Sequence, residues 1–297
     1  MAMLITSRLS LLPWQLQQWQ RLQASRTQHK CPHALLLHGP AGTGKAEFAL
    51  LFAQSLLCQQ PIEGLPCGAC RDCRWFFQGQ HPDCTLLEPE EENKHIGIDR
   101  IRECVNFIQL KSHAGGAKLV IICPAENMLP AAANSLLKTL EEPPADSILV
   151  LVSHRAGRLL ATIRSRCQSV RFPTVRSGEA LAWLIRQTKN SEAQVKSSLS
   201  LAQGAPLLAA DFLRQDVLPL RDKLLASALD LVSGRSEPIQ LASAWLKTDL
   251  RQPLYWLSGV VLDLWRLQVS ANPPHLCHPE WRQKLAPVAG RLSMKSV

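Results

Sequence analysis

The sequence has no apolar run that approaches the roughly 20 residues a membrane-spanning helix needs. Its first fifteen residues lack a basic start, a continuous apolar segment and a small-residue cleavage site, so we expect no signal peptide. Internal repeats and low-complexity tracts are missing as well. These absences exclude the membrane-spanning, secreted and repeat classes, and we expect a globular protein of the cytoplasm that has no membrane partner.

Acidic residues are in short supply, with 24 Asp and Glu against 33 Lys and Arg and a formal net charge of +9. This surplus favours contact with a polyanion or an acidic partner. The chain has 297 residues, 46% of them hydrophobic, which is enough for two or three domains with their own cores. Its ten cysteines do not predict a disulfide framework, because such frameworks belong to small secreted chains.

Short apolar runs alternate with helical patterns over the first 170 residues or so. Runs typical of buried parallel strands occupy 33–38, 118–123 and 147–152, and 170–172 is a candidate fourth strand. Helical patterns occupy 46–57, 98–110, 131–140 and 158–164. This alternation predicts an α/β fold with a parallel sheet.

From Ser177 onward the strand signals disappear and helical patterns follow one another. They cover 178–187, 191–202, 207–213, 218–232, 239–246 and 254–269, with glycine and proline between them. Four tryptophans lie here, and we expect them to fill a helical core, with partner contacts as the alternative: Trp245, Trp256, Trp265 and Trp281. The sequence therefore predicts an α/β domain followed by all-helical material.

A glycine-rich loop joins the first predicted strand to the first predicted helix. Its pattern, Gly-x-x-x-x-Gly-Lys, uses Gly39, Gly42, Gly44 and Lys45. Successive backbone N–H groups in such a loop cradle phosphate oxygens at a helix N-terminus, and the lysine reaches the outer phosphates. The sequence thus predicts a phosphate loop.

Two parts that ATP hydrolysis requires are missing around this loop. The residue after the lysine should carry a hydroxyl that binds Mg²⁺, but it is Ala46. The following strand should end in acidic residues, but it ends in Cys123 and Pro124, with Glu126 the nearest carboxylate. We expect weak nucleotide binding at best and no useful turnover.

Four of the ten cysteines are close together, as Cys58, Cys67, Cys70 and Cys73. Four thiolates suit a closed tetrahedral Zn²⁺ site, although an iron–sulfur cluster also uses four thiolates. Either metal centre would stabilise an insertion at about 58–80 that has no core of its own. An alternative is that this segment binds nucleic acid directly through its two basic residues, Arg71 and Arg74.

Several motifs together resemble bacterial clamp-loader subunits of the AAA+ class. They are the phosphate loop, the four-cysteine insertion, the stretch Ala132 to Pro144 (AANSLLKTLEEPP) and the triplet Ser165-Arg166-Cys167. The resemblance runs from about Leu35 to Ala210 and more loosely beyond. It implies zinc rather than an iron–sulfur cluster, and it implies a component of a DNA polymerase holoenzyme that takes part in DNA replication.

The resemblance also implies a role for Arg166, as an arginine finger offered to ATP bound in a neighbouring subunit. A guanidinium suits this role because it is permanently charged and binds phosphate oxygens with a planar fork of N–H groups. The implied partners are the delta and gamma/tau subunits, with the sliding clamp and primed DNA reached through the complex. The alternative function is an active ATPase of the gamma/tau type, in which Glu126 would replace the missing acids.

The resemblance divides the chain into three parts. It implies an AAA+ domain at 1–172 that contains the zinc insertion, a small helical lid domain at 173–213 and an all-helical collar domain at 214–297. The family's collar normally continues beyond Val297, so we expect the collar to be incomplete at its C-terminus.

Overall fold

The structure is a computed structural model that describes residues 9–28, 30–90, 94–113, 115–232, 234–245 and 251–291. The chain forms two compact units, Met1–Thr174 and Val175–Val297. The last position of the predicted helix 239–246 and the chain end at 293–297 lie outside the described residues. Among the described helices, none is long and apolar enough to cross a membrane. The division of the second unit into lid and collar stays a prediction.

The first unit is built on a five-stranded sheet in which every neighbouring pair is parallel. The strands are β1 Ala34–His38, β2 Cys84–Leu87, β3 Lys118–Ile122, β4 Ser147–Ser153 and β5 Gln168–Arg171. Their order across the sheet is β2-β3-β4-β1-β5, and in the centre Leu36 of β1 pairs with Leu151 of β4. The predicted α/β fold with a parallel sheet is confirmed.

Both faces of the sheet are covered, which explains the continuous apolar runs of the strands. Successive residues of a strand point to opposite faces, so Leu119 and Ile121 of β3 enter one core cluster while Val120 and Ile122 enter the other. The first cluster contains Trp19, and the second contains the buried side of the helix that follows β3.

The described residues of this unit form six helices: α1 Leu16–Thr27, α2 Lys45–Leu57, α3 Arg71–Phe77, α4 Ile98–Gln109, α5 Pro130–Glu141 and α6 Ala161–Arg164. Short 3₁₀ turns occupy Pro13–Gln15, Ala125–Asn127 and Ala156–Arg158. Helix α2 is buried along most of its length in the first core cluster, where Phe48 and Phe52 contact Trp19 edge to face. Helix α5 packs its Ala132 and Leu136 into the second cluster.

The second unit is entirely helical within the described residues, as predicted. Its helices are α7 Ser177–Gln187, α8 Glu192–Leu201, α9 Pro206–Arg214, α10 Leu218–Val232, α11 Pro238–Trp245, α12 Arg251–Val269 and α13 Arg282–Ala289, with a 3₁₀ turn at Pro279–Trp281. Ser191 and Gln194 form a capping box that starts α8. Trp256 and Trp281 are buried, as expected, but Trp265 is 53% exposed, so the core prediction is wrong for this tryptophan.

Candidate functional site

The predicted phosphate loop lies between β1 and α2. Gly44 is the N-cap of α2 and adopts a left-handed conformation, with φ of 82°, which glycine accepts without strain. Gly39, at φ of 147°, passes so close to β5 that a Cβ added to it would lie 1.9 Å from the Phe172 carbonyl oxygen. Glycine at these two positions is therefore required by the backbone path. The loop carries its amide groups to a helix N-terminus, where they can bind an anion.

Two side chains near the start of the described chain donate hydrogen bonds to backbone carbonyl oxygens of this loop. The Trp14 indole Nε1 donates to the Thr43 carbonyl oxygen at 3.0 Å. The amide Nε2 of Gln15, a fully buried residue, donates to the carbonyl oxygens of Thr43 and Gly44 at 3.1 and 2.7 Å. Sequence reasoning missed both residues, because no local pattern reveals a contact that spans almost 30 positions.

Lys45 is turned into the loop. Its Nζ donates to the Pro40 carbonyl oxygen at 2.5 Å and lies 3.4 Å from the Thr43 hydroxyl, and the residue is only 2% exposed. Burial lowers the pKa of Lys45 to about 8, because desolvation disfavours the charged ammonium. The Lys45 ammonium is therefore bound by a carbonyl oxygen of the loop itself.

The positions that would bind Mg²⁺ and activate water hold unsuitable groups. Ala46 has no hydroxyl, and burial raises the pKa of Cys123 to about 12, so this thiol stays neutral at pH 7. The Cys123–Pro124 peptide bond is cis. Glu126 uses one carboxylate oxygen, Oε1, to accept the backbone N–H groups of His154 and Arg155 at 2.9 and 3.2 Å. This carboxylate thereby joins the turn after β3 to the end of β4.

Arg166 lies at the surface directly after α6. Its neighbour Cys167 is buried in the second core cluster, which fixes the backbone and directs Arg166 outward. The Arg166 Nη1 donates to the Thr162 carbonyl oxygen at 3.0 Å, and Nη2 forms an ion pair with Glu141 Oε1 at 2.5 Å. Its side chain keeps 36% of its surface exposed. Other exposed arginines flank it, at positions 155, 158 and 164, but in the described part of the chain only Arg166 of this group forms an ion pair.

The four predicted metal ligands come together. The Sγ atoms of Cys58, Cys67, Cys70 and Cys73 all lie within 4.8 Å of one another, and they are the one cluster of this kind within the described residues. Backbone N–H groups point at the sulfurs: Cys67 N–H lies 3.3 Å from Cys58 Sγ, Cys70 N–H 3.3 Å from Cys67 Sγ and Cys73 N–H 3.4 Å from Cys70 Sγ. Such hydrogen bonds stabilise thiolates, and those from Ala69 and Cys70 lower the pKa of Cys67 to about 6. The cluster can hold a metal ion.

The insertion that carries these cysteines has two basic side chains, Arg71 and Arg74, and both are exposed. Arg71 contacts the buried Asp72 carboxylate at 3.3 Å, and its guanidinium lies over the Trp75 ring at 4.6 Å. Of the two basic side chains in the segment, one is thus already engaged within the protein. The structure brings the four cysteines into a cluster that could hold a metal ion, and direct nucleic-acid binding by this segment stays an alternative prediction.

The sheet order and the position of the loop between β1 and α2 define an AAA+ phosphate-loop protein. A family model described as DNA polymerase III, delta subunit, matches residues 14–176, and a second, for the C-terminal part of that subunit, matches 215–297. DNA polymerase III subunit delta' of Pseudomonas aeruginosa is 38% identical over 261 residues, which cover 88% of this chain and 79% of that protein. The Escherichia coli K12 protein of the same name is 34% identical over 252 residues, covering 84% and 75%.

A solved gamma subunit-related protein of DNA polymerase III from Thermotoga maritima aligns with a TM-score of 0.44 and 22% identity, covering 93% of this chain and 79% of that one. The family models and the two relatives decide the assignment. The chain belongs to the DNA polymerase III delta' family, the clamp-loader subunits that the sequence motifs indicated.

Proposed function

We propose that this chain is a non-hydrolysing subunit of the clamp loader, which helps to load the sliding clamp onto primed DNA and offers Arg166 to ATP in a neighbouring subunit. One observation carries this proposal: the phosphate loop keeps its backbone geometry, yet Lys45 is bound by the loop itself and Ala46 and Cys123 replace the groups that hydrolysis needs. Arg166, in contrast, is exposed on a backbone held by the core. The chain's contribution to ATP hydrolysis is therefore made in trans.

An ATPase assay of the isolated chain with Mg²⁺ tests the non-hydrolysing role. We expect release of inorganic phosphate at the background rate, unchanged in Lys45→Ala. Hydrolysis that depends on Mg²⁺ and is lost in Lys45→Ala would contradict the proposal.

The second candidate is an active gamma/tau-type ATPase, and the observation that favours it is the retained loop with its three glycines and Lys45. It requires Glu126 to serve as the base. Glu126 Oε1 accepts two backbone N–H groups, and the buried Oε2 has no hydrogen-bond partner among the described residues. The same assay with Glu126→Gln separates the two functions, because only an active ATPase would lose turnover in that variant.

The four cysteines bind Zn²⁺ in the proposed function. Four thiolates leave no coordination position open for water, so the ion would be structural and would hold the insertion together. When bound, the metal supplies folding free energy to a segment whose one helix, α3, has seven residues.

Metal analysis of the purified protein tests the zinc site. We expect one equivalent of zinc, lost in Cys70→Ser and retained in Cys31→Ser, which changes a cysteine outside the cluster. A chelator should increase amide hydrogen exchange in 58–80 and leave the sheet strands protected. Iron and sulfide in place of zinc, or an insertion that is equally protected without metal, would contradict the assignment.

The proposed partners are the delta and gamma/tau subunits, bound in part through a helical collar at 214–297. Support comes from α12, where large apolar side chains are exposed along one helix face at Leu254, Val261, Trp265 and Val269. Val261, Trp265 and Val269 follow Leu254 by seven, eleven and fifteen positions, which is the spacing of a single stripe along a helix. An exposed stripe of this kind is a surface for a partner helix.

A further inference from the structure

Outside the phosphate loop and the cysteine cluster, an ion pair joins Glu141 to Arg166. Glu141 is the last residue of α5, and Arg166 is the second residue after α6. The sequence does not predict this contact, because the two residues are 25 positions apart and Glu141 is followed by a second glutamate, Glu142.

Helix α5 ends at Glu141 because of the two prolines that follow Glu142. A residue before proline is excluded from the helical region, and Glu142 accordingly adopts φ of −125° and ψ of 73°. This change of direction leaves Glu141 on the last helical turn and separates the paths of the two carboxylates. Glu141 contacts Arg166, whereas in the described part of the chain Glu142 makes no ion pair.

Both residues of the ion pair are next in sequence to a buried core residue. Leu140, which precedes Glu141, is 3% exposed, and Cys167, which follows Arg166, is 9% exposed. These two residues and Ile163 of α6 belong to the same core cluster. The backbone positions of Glu141 and Arg166 are therefore fixed relative to each other by packing, and the ion pair adds control over the long arginine side chain.

The fold gains little from this pair. Both side chains are partly exposed, at 50% and 36%, and exposed ion pairs contribute little to stability. A carboxylate is also the unfavourable charge at a helix C-terminus, where the macrodipole is negative. The ion pair thus contributes little to folding stability, and its main effect is to orient the Arg166 side chain.

A guanidinium has five N–H donors, and this one uses few of them internally. Glu141 takes a bond from Nη2 and the Thr162 carbonyl takes one from Nη1. The Ser165 hydroxyl oxygen lies 3.5 Å from Nη1 as a third internal partner. The other N–H groups can bind phosphate oxygens while these internal contacts persist. Holding a long side chain in one geometry beforehand reduces the conformational entropy that must be lost when the phosphate binds.

We propose that Glu141 is a positioning residue for Arg166, holding its guanidinium in the direction of the ATP bound by the neighbouring subunit. This inference rests on the proposed role of Arg166 as an arginine finger. Glu141 does not touch the nucleotide, and its effect reaches the reaction only through Arg166.

The test uses the reconstituted clamp loader with its delta and gamma/tau subunits, the sliding clamp and primed DNA, in rapid-quench measurements of ATP hydrolysis. We compare Glu141→Gln with the matched control Glu142→Gln, with Arg166→Ala and with the Glu141→Gln/Arg166→Ala double variant. We expect Glu141→Gln to slow the hydrolysis that depends on Arg166 roughly three- to tenfold, with little change in KM for ATP. Glu142→Gln should behave as the parent.

The double variant separates positioning from a general structural effect. If Glu141 acts through Arg166, the double variant is no slower than Arg166→Ala alone, because the two changes remove one unit. Unchanged melting temperature and complex stoichiometry in Glu141→Gln complete the expected result.

Three results overturn the inference, and they differ in what they say of the finger. If Arg166→Ala leaves hydrolysis unchanged, the finger and its positioning both fail. If Arg166→Ala is slow but Glu141→Gln equals the parent or is faster, the finger stands and positioning by Glu141 fails. An equal further slowing by Glu141→Gln in the Arg166→Ala background would show that Glu141 acts elsewhere.

Discussion

At the scale of single residues, the backbone path of the phosphate loop by itself requires glycine at position 39. Gly39 cannot carry a side chain, because the Phe172 carbonyl occupies the place of a Cβ. This constraint comes from the packing of the loop on β5 and holds whether or not nucleotide binds. Glycine at position 39 is thus required for the backbone path between β1 and α2.

Gly39→Ala should lower the free energy of unfolding by at least about 2 kcal/mol, because it combines a clash with a backbone conformation that alanine disfavours. Urea unfolding followed by circular dichroism measures the change. Gly157→Ala is the control, since a Cβ there would meet no atom within 4 Å. Equal stability of the two variants would show that the loop can move away from β5.

Lys45 predicts a pH dependence of stability. Its pKa in the folded protein is about 8, against about 10.4 in an unfolded chain, so between these values the unfolded state binds more protons. Stability from this group therefore rises as the pH increases from about 8 to 10.4. Below pH 8 the buried ammonium is a cost, which Lys45→Met removes.

We expect Lys45→Met to be more stable than the parent at pH 7, by on the order of 1–3 kcal/mol, and to lose this advantage as the pH approaches 10. Unfolding titrations at several pH values measure the difference. Lys138→Met, which changes an exposed lysine of α5, should follow the parent curve. An advantage of Lys45→Met that grows with pH would contradict the burial argument.

At the scale of elements, the strands that sequence reasoning found are those with buried side chains on both faces. β3 and β4 are buried at every position, so their apolar runs are continuous and easily read. β2 was missed because it is a four-residue edge strand with mixed residues and one fully buried position. Helix α1 was missed because its glutamine-rich sequence hides the two apolar core contacts, Trp19 and Leu22.

The functional residues also differ in how far the sequence predicts them. The phosphate loop and the four cysteines are local in sequence, and their chemistry was readable from spacing. The hydrogen bonds of Gln15 to the loop and the ion pair of Glu141 with Arg166 join distant segments, and only the packing of the elements brings these residues together.

The exposed apolar stripe of α12 predicts a contact with another subunit. Trp265→Glu places a charge in the middle of the stripe and should weaken assembly of the clamp loader by about 2 kcal/mol or more. Size-exclusion chromatography of the reconstituted complex at several concentrations measures the effect. Ile185→Glu, which changes an exposed apolar residue of α7, is the control. Normal assembly of the Trp265→Glu variant would show that the stripe does not contact another subunit.

At the scale of the whole molecule, the proposed function reduces the polyanions that the net charge of +9 could contact to two kinds. The described ion pairs neutralise several arginines within the chain, Arg100 with Glu90 and Arg221 with Glu280 among them. The anions that the proposed function supplies are the phosphates of a neighbour's ATP and the backbone of primed DNA. We interpret the surplus as charge shared across an assembly rather than as one binding patch.

In the proposed function, this subunit acts on ATP in its neighbour and not on ATP of its own. The most direct test compares Lys45→Ala with Arg166→Ala in the reconstituted clamp loader, measuring ATP hydrolysis stimulated by the sliding clamp and primed DNA. We predict that Lys45→Ala hydrolyses ATP at nearly the parental rate. We predict that Arg166→Ala loses the turnover of the neighbouring site, since a finger supplied in trans contributes roughly a thousandfold or more to phosphoryl transfer. A parental rate in Arg166→Ala, or a loss confined to Lys45→Ala, would contradict the account.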